Sequence, residues 1–428
     1  MTDSGITFSE YIETGPTLLN DKNNRIQATF RVAPVHVTIA NTIRRQILAS
    51  IPTVGFKTEP PENSDVHITT NTTPLVNEML MHRIGMIPIA IADPSTFNPD
   101  DYEFRINIEN IGKSLVSVSA SDFVVVKSAT TEEAETHLPV QDFFPADPIT
   151  EKTPLITVLR QQYNMDSPPE KLVIRAKASI GTGRENMRFS PVTQCSYEYT
   201  RDMDESKQHL MFTNWMATSK KVLDTASISP ERLNELRREF DCLEVQRCYL
   251  QNEKGEPYDF IFHIESVGVY SVPVIVERGL RACENIVTPY ISLDTSVPEN
   301  LEIRPLASRM GGQEGVFEFI FRNEEHTLGN LLQTFLVERH IEGIEMPRIT
   351  YAGYRIPHPL KQEMVLTINP IDGDSLTARK AIASVCKYLK SYFASATTEW
   401  VKTPKGELPK VMELPQPLPV KTRGRAKK

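Results

Sequence analysis

Cysteine is scarce in this chain, with five residues in 428, and no two of them form the Cys-x-x-Cys pair typical of zinc sites. The number is odd and the spacing shows no disulfide framework, so we expect reduced thiols in an intracellular protein. The N-terminus lacks the apolar segment of a secretion signal. No apolar run approaches the roughly 20 residues of a membrane helix. These absences predict a soluble protein with no membrane partner and no cofactor.

Recognisable catalytic patterns are missing as well. We find no glycine-rich loop suited to phosphate binding and no nucleophile with a neighbouring base. Asp372-Gly373-Asp374 resembles a polymerase metal loop, but it offers two carboxylates where such a loop needs three to hold magnesium. We interpret it as a turn before the last helix. His326 and His358 stand apart from any cysteine pair or third histidine, which favours structural roles.

Basic residues are also fewer than acidic residues in this chain. The net charge is −8, whereas proteins whose main partner is naked nucleic acid are usually basic. Protein partners are therefore the better expectation. From Lys421 the chain ends in the basic sequence Lys-Thr-Arg-Gly-Arg-Ala-Lys-Lys. Nucleic-acid binding, a nuclear address and simple solubilisation remain open as roles for this tail.

The strand and helix patterns predict an α+β fold in which two similar units pair within one chain, with a β-rich domain inserted in the first. The predicted parts are a first unit at 1–91 and 188–295, an inserted domain at 92–187, a linker at 296–315, a second unit at 316–402 and a disordered basic tail at 403–428. Within the first unit we expect a short helix at 74–89 with Leu75, Met79 and Ile84 facing inward.

A short repeat relates two of the predicted helices. Thr38-Ile39-Ala40-Asn41-Thr42-Ile43 matches Thr327-Leu328-Gly329-Asn330-Leu331-Leu332, and the same offset pairs Phe30 with Phe319. Two such units can pack about a pseudo-two-fold axis, although chance similarity of two amphipathic helices is the alternative. The residues expected to join the units are apolar and helically spaced: Ile43, Ile47, Leu280, Leu328, Leu332, Phe335, Leu336, Ile382, Val385 and Leu389.

Longer motifs flank the repeat in the first unit. Ala40 to Arg45 is followed by Ile51-Pro52-Thr53-Val54, and then by the run Asn77-Glu78-Met79-Leu80-Met81-His82-Arg83-Ile84-Gly85-Met86-Ile87-Pro88. These motifs resemble the alpha-type subunit of RNA polymerase, which is the D subunit in archaea and the third-largest subunit in eukaryotic nuclear enzymes. Cys195 to Tyr199 and His263 to Gly268 resemble the strands that return that family to its dimerisation domain.

The second unit resembles the small partner of that subunit. Its motifs are Phe321-Arg322-Asn323-Glu324-Glu325-His326-Thr327-Leu328-Gly329-Asn330 and Ala352-Gly353-Tyr354-Arg355-Ile356-Pro357-His358-Pro359-Leu360. They are similar to the L subunit of archaea and the eleventh subunit of the eukaryotic enzyme. The resemblance covers roughly residues 25–92, 188–292 and 316–400.

The resemblance implies a non-catalytic subunit that nucleates assembly of a multisubunit DNA-directed RNA polymerase. Its implied partners are the beta-type and beta′-type large subunits and small accessory subunits. DNA and RNA would be met only through the complex, and no homo-oligomer is needed. Of the predicted surface residues, Asn41, Arg44, Arg45, Glu78 and Arg83 are expected at the large-subunit interface, since arginine pairs well with carboxylates and carbonyls there. A solvated helix face is the alternative for Arg44 and Arg45. A catalytic cluster is one alternative for Glu78, His82 and Arg83, and a local surface pair of Glu78 and His82, one helical turn apart, is the favoured one.

The chain departs from the family in two ways. Family members often carry metal-binding cysteines in the inserted domain, whereas this chain has none between Asp93 and Arg188, so we predict no zinc or iron. The two partners are usually separate chains, and fused forms are associated with large DNA viruses. We therefore expect a viral origin, with the protein in the cytoplasmic virus factory or the virion, or in the nucleus if it is cellular. A stand-alone scaffold and an enzyme with a pocket between the units are the rival functions.

Overall fold

The computed structural model describes residues 5–17, 25–112, 114–127, 136–147, 149–162, 168–222, 229–306 and 315–404. Its helices are α1 Val37–Ala49, α2 Asn77–Gly85, α3 Glu205–Ser219, α4 Pro230–Leu243, α5 Val272–Val287, α6 His326–Leu336 and α7 Ser375–Lys402. Its strands are β1 Thr7–Thr17, β2 Arg25–Ala33, β3 Pro52–Gly55, β4 Val66–Asn71, β5 Tyr102–Asn110, β6 Val116–Ser119, β7 Val124–Lys127, β8 Thr136–Leu138, β9 Leu155–Leu159, β10 Glu170–Ala176, β11 Ser179–Thr182, β12 Val192–Tyr199, β13 Phe260–Ser266, β14 Leu301–Pro305, β15 Phe317–Arg322, β16 Ile349–Arg355 and β17 Glu363–Pro370. The predicted α+β fold class is confirmed.

Two four-stranded antiparallel sheets have the same order of strands. The first runs β1-β2-β13-β12 and the second runs β14-β15-β17-β16. Each unit is built in the order strand, strand, helix, strand, strand, helix, so α1 corresponds to α6 and α5 to α7. Phe30 pairs with Phe262 in the first sheet, and its counterpart Phe319 pairs with Leu366 in the second. The repeat found in the sequence therefore extends over a complete fold unit.

The region predicted as a linker contains part of the second sheet. Residues 301–305 form β14, which pairs with β15 from Leu301↔Phe321 to Pro305↔Phe317. The linker prediction is wrong for these residues because the strand occupies the sheet edge, where few apolar positions and a proline are tolerated. Residues 307–314 lie outside the described part of the chain, as does the predicted tail from residue 405 onward.

The inserted region forms a separate apolar core. A five-stranded sheet of order β4-β10-β5-β7-β8 is accompanied by the pairs β3–β11 and β6–β9. Phe56, Phe104, Phe123 and Phe144 pack together at its centre. Residues from Val54 to Ile89 contribute to this core, so the predicted boundary at residue 91 comes about 40 residues after the point where the chain leaves the first core.

The short helix α2 differs from its prediction. It begins at Asn77 because Val76 is still extended, with φ −69° and ψ 155°. Its buried residues include Leu80 and Ile84, whereas Met79 is 57% exposed. The predicted inward position of Met79 is wrong because Met79 lies about 140° from Ile84 around the helix, whereas Leu80 lies only about 40° from it.

Side-chain caps mark the starts of α4 and α7. Ser229 accepts a hydrogen bond from the Arg232 amide and caps α4. Asp374 accepts from the Leu376 amide and caps α7, so Asp372-Gly373-Asp374 is the predicted turn before the last helix.

Together α3 and α4 form a helical hairpin inserted between β12 and β13, with a small core that contains Phe212, Met216 and Phe240.

Candidate subunit interface

The helices α1 and α6 contact each other with approximate two-fold symmetry. Thr38 Oγ1 lies 3.3 Å from Thr334 Oγ1, and Arg45 Nε donates to Thr327 Oγ1 at 2.7 Å. The repeat pairs Thr38 with Thr327 and Arg45 with Thr334, so each contact is the symmetry counterpart of the other. An isologous interface has this reciprocal property. Here it occurs within a single chain.

The apolar residues predicted to join the units all lie in one core. Ile43, Ile47, Leu280, Leu328, Leu332, Phe335, Leu336, Ile382, Val385 and Leu389 are each at most 5% exposed and belong to a cluster that draws on both units. At the α1–α5 contact, a Cβ on Gly279 would lie 2.4 Å from Ile47 Cγ1. The absence of a side chain at Gly279 therefore lets α5 approach α1 closely.

Aromatic side chains at the ends of the closing helices contact the opposite unit. Trp400, near the end of α7, lies with its ring centroid 4.9 Å from Phe30 and 5.1 Å from Phe8 of the first sheet. Its indole nitrogen donates to the Pro273 carbonyl at 3.0 Å. Reciprocally, Tyr290, which follows α5, packs 5.0 Å from Phe321 of the second sheet. Both units are therefore held by aromatic contacts as well as by the helix crossing.

The two ends of the α1–α6 crossing differ in charge. At one end, the hydrogen bonds between the two helices join the Thr38 hydroxyl to the Thr334 hydroxyl and to the Asn330 amide. At the other end Arg45 lies 3.6 Å from Glu325, and Arg184 of the inserted region lies 3.5 Å from the same carboxyl group. Arg184 also donates to the Asn323 carbonyl. A predicted partner-binding residue, Arg45, is thus already engaged with the second unit.

Glu324 is a titratable group at this charged end. Its carboxyl accepts a hydrogen bond from the Tyr290 hydroxyl at 3.3 Å. Burial, partly opposed by the positive charge of Arg184 and by that hydrogen bond, raises the pKa of Glu324 to about 7. Its protonation state therefore changes near neutral pH at the junction of α1, α6 and the inserted region.

Arg44 and Asn41 lie on a different face of α1. Arg44 Nε and Nη2 both donate to Asn41 Oδ1, at 3.0 and 2.9 Å. The two side chains line an open groove of about 760 Å³ together with Tyr197 and Glu198 of β12 and residues of the α3–α4 hairpin. Among the described residues, neither side chain forms a hydrogen bond or ion pair with the second unit, so this groove is a candidate surface for another protein.

Glu78 and Arg83 are separate from that groove, because α2 packs in the core of the inserted region. Arg83 donates to the Leu155 carbonyl at 2.8 Å. Within the described residues, no hydrogen bond joins Glu78 to His82. Met79 and Met86 expose apolar surface on the same helix, at 57% and 62%. The five predicted interface residues therefore fall in three places: Asn41 and Arg44 at the groove, Arg45 at the contact with α6, and Glu78 and Arg83 on α2.

An arginine attaches the inserted region to the first unit. Arg278 of α5 lies over the Tyr270 ring at 4.4 Å and donates to the Ala92 carbonyl at 3.0 Å. The Tyr270 hydroxyl donates in turn to the Pro52 carbonyl at 2.9 Å. The contact with Pro52 holds the start of the inserted region near α5, and the contact with Ala92 holds the segment that follows α2. Nothing in the local sequence pattern indicated them.

Some of the missed residues had a signal in the sequence. Trp400 continues the apolar spacing of α7 beyond Leu389. The contact between Thr38 and Thr334 is the counterpart, under the repeat offset, of the contact between Arg45 and Thr327. No local pattern pointed to Arg184, since its partners lie far away in the sequence.

No helix in the described part of the chain is long and apolar enough to cross a membrane. Likewise, no group of histidine, cysteine or acidic residues among the described ranges is arranged as a metal site. The predicted absence of zinc and iron stays a prediction that elemental analysis can test.

Comparison with known proteins gives two family matches. A model of the RNA polymerase Rpb3/Rpb11 dimerisation domain matches residues 29–286, and a second model with the same description matches residues 317–399. Subunit RPB3 of DNA-directed RNA polymerase II from Schizosaccharomyces pombe is 26% identical over 69% of this chain and 92% of its own length. Subunit Rpo3 from Methanobrevibacter smithii is 24% identical, over 61% and 90%. Human RPAC1 of RNA polymerases I and III is 25% identical, over 60% and 82%.

Proposed function

This chain belongs to the RNA polymerase Rpb3/Rpb11 dimerisation domain family, and we propose that it is a non-catalytic assembly subunit of a multisubunit DNA-directed RNA polymerase. The observation that carries the proposal is the reciprocal α1–α6 crossing between two regions that match this family separately. A platform formed in this way needs no second copy of the chain. Catalysis belongs to the large subunits that it assembles.

The single chain combines units that we expect to be separate polypeptides in cellular enzymes. The shared core and the reciprocal aromatic contacts support an intramolecular pair. Cleaving the chain near Gly311 should leave the halves associated on gel filtration without denaturant, because the core would remain buried. Separation of the halves would contradict the proposal. A viral origin stays a prediction that follows from the fusion.

For the large-subunit interface, we propose the groove beside α1 as the binding site of the beta-type subunit. Asn41 and Arg44 line it, and it offers open volume beside polar side chains. Arg45 would have a different role, because it contacts Thr327 and Glu325 of the second unit and would stabilise the pairing of the two units. Glu78 and Arg83 would provide a second contact through the exposed face of α2. Binding of the beta′-type subunit and of small accessory subunits would follow.

Native pull-down with mass spectrometry tests the function. Co-purification of both large polymerase chains is the expected result. A set of partners unrelated to transcription would indicate a stand-alone scaffold, and a small-molecule activity of the isolated chain would indicate an enzyme.

The groove assignment is tested by Arg44→Ala in the same pull-down. Arg281→Ala is a matched control, because Arg281 also pairs with a residue on its own helix, Glu277. Arg44→Ala should weaken capture of the beta-type subunit, since losing a charged contact at a buried interface costs about 2 kcal/mol or more. Equal capture by both variants would remove Arg44 from the interface.

A further inference from the structure

An aromatic groove of about 690 Å³ lies where the two units meet. Phe335 and Arg339 line it from the second unit, and His36 and Tyr258 line it from the first. Tyr388 and Tyr392 of α7 form its long wall. Arg339 is stacked 3.7 Å from the Tyr388 ring centre, which holds that ring in place. The groove is therefore apolar, preformed and rimmed by polar groups.

Tyr392 lines this groove, and its hydroxyl makes no hydrogen bond with another described residue. The ring is largely buried, and burial raises the pKa of Tyr392 well above its usual range. The hydroxyl therefore stays protonated and can donate to an acceptor that enters the groove.

One rim of the groove is acidic. Glu253 lines it directly, and the neighbouring Lys254 is paired with Glu342 at 2.8 Å and also lies near Glu338 and Glu256. Three carboxylates thus lie near Lys254, and Glu253 adds a fourth on the groove itself. Such a rim attracts a positively charged segment.

We propose that this groove binds the chain's own C-terminal segment, residues 405–428. Leu414-Pro415-Gln416-Pro417-Leu418-Pro419 is proline-rich, and proline-rich segments dock in aromatic-lined grooves in extended form. That conformation makes no internal hydrogen bonds, so its carbonyls are free to accept from Tyr392. The basic residues from Lys421 onward would then meet the acidic rim.

The position at which α7 ends makes this docking geometrically feasible. Tyr388 lies 15 residues before Thr403, the C-cap of α7, which is about 22 Å along the helix at ~1.5 Å per residue. Extended proline-rich chain covers ~3.1 Å per residue, so about seven residues span the same distance. The segment is long enough to turn back from Pro404 and run along α7 with its proline-rich part opposite the tyrosines.

A photocrosslinking amino acid placed at Leu414 in the full-length chain tests this docking. We expect intramolecular crosslinks to the stretch from Tyr388 to Ser395. Ser395→Arg should lower their yield about tenfold, because it adds a bulky positive charge to the lining of the groove and repels the basic segment. Ala394→Arg is the matched control, since it adds the same side chain one residue away, at an exposed position that does not line the groove.

The outcomes decide the proposal. Crosslinks spread over other surfaces would overturn it, as would a yield that is equal in the two arginine variants. Crosslinked dimers whose yield rises with protein concentration would show docking between copies and would also overturn it. Thermal melting checks that Ser395→Arg folds, and Ser391→Arg replaces it if it does not. Tyr392→Phe should lower the yield by a smaller factor through loss of the hydroxyl.

Discussion

The two units share one fold but differ in what is added to it. In the second unit, β16 and β17 are joined by a short connection, and α6 leads to β16 within 12 residues. In the first unit the corresponding positions carry the inserted β-rich region and the α3–α4 hairpin. The helices and sheets that form the shared core are equivalent, whereas the added segments all belong to the first unit. Pairing of the units therefore depends on the elements that they share, and the inserted segments leave the common fold intact.

Removing the largest aromatic contact between the units should have the strongest effect on this pairing. Trp400→Ala leaves a cavity beside Phe8 and Phe30 and frees the Pro273 carbonyl. We expect it to lower the free energy of unfolding by about 3–5 kcal/mol. Chemical denaturation measures this. Val401→Ala, at a neighbouring exposed position, should change stability by less than about 0.5 kcal/mol; similar losses in both variants would contradict a specific role for Trp400.

Filling the close approach between α1 and α5 should have the next largest effect. Gly279→Ala places a methyl group against Ile47, with 2.4 Å between the two carbons before relaxation. Overpacking of this kind costs about 1–3 kcal/mol. Adding Ile47→Ala to Gly279→Ala should recover part of the loss, because it removes the Cγ1 atom that the new methyl group meets. If the double variant is less stable by the full sum of both changes, the two residues are not in contact.

The charged end of the crossing should make stability depend on pH. Because the pKa of Glu324 is raised from 4.5 to about 7, the folded chain holds this proton more tightly than the unfolded chain does. Stability should therefore fall as pH rises from about 4.5 to about 7, by an amount on the order of 1–3 kcal/mol after allowance for solvent screening.

Replacing the carboxyl group separates Glu324 from the other titrating groups. Glu324→Gln should match wild type below pH ~4.5 and be more stable above pH ~7. Thermal melting across this range measures the difference, and Glu325→Gln is the control, since its carboxyl is more exposed. A constant difference between wild type and Glu324→Gln at every pH would contradict the raised pKa.

The smallest predicted effect distinguishes the two ends of the crossing. Arg45→Ala removes a charge-assisted hydrogen bond and a weak ion pair, and should cost about 1 kcal/mol because the guanidinium is partly exposed. Thr334→Val removes the counterpart contact and should cost less than about 0.5 kcal/mol. A double-mutant cycle of Arg45→Ala with Thr327→Val measures the coupling directly. A coupling near zero would leave Arg45 free for the partner interface first predicted.

Several elements could be predicted because they follow from local periodicity. The helical spacing of apolar residues in α1, α5, α6 and α7 identified helices that the structure contains. The edge strands β1 and β14 were missed, since an edge strand has one partner and needs few apolar residues. The repeat could not supply β14, because its counterpart β1 was missed as well.

For the candidate interface, the sequence identified α1 as important but did not separate its faces. Adjacent residues on a helix point about 100° apart, so Arg44 and Arg45 reach different surroundings. Arg44 stays with Asn41 beside the open groove, and Arg45 crosses to Thr327. The residues that surround each arginine come from segments far away in the sequence, so they depend on how those segments pack.

The sequence by itself determined the repeat, the amphipathic helices and the residues that form the shared core, because those depend on spacing along the chain. Only the tertiary structure decided that Trp400 and Tyr290 pack reciprocally on the opposite sheets, and that Arg184 meets Glu325. It also decided that Val54 to Ile89 belong to the inserted core. The physical reason is that local periodicity specifies which face of an element is buried, whereas the partner of that face is chosen by packing between segments far apart in sequence.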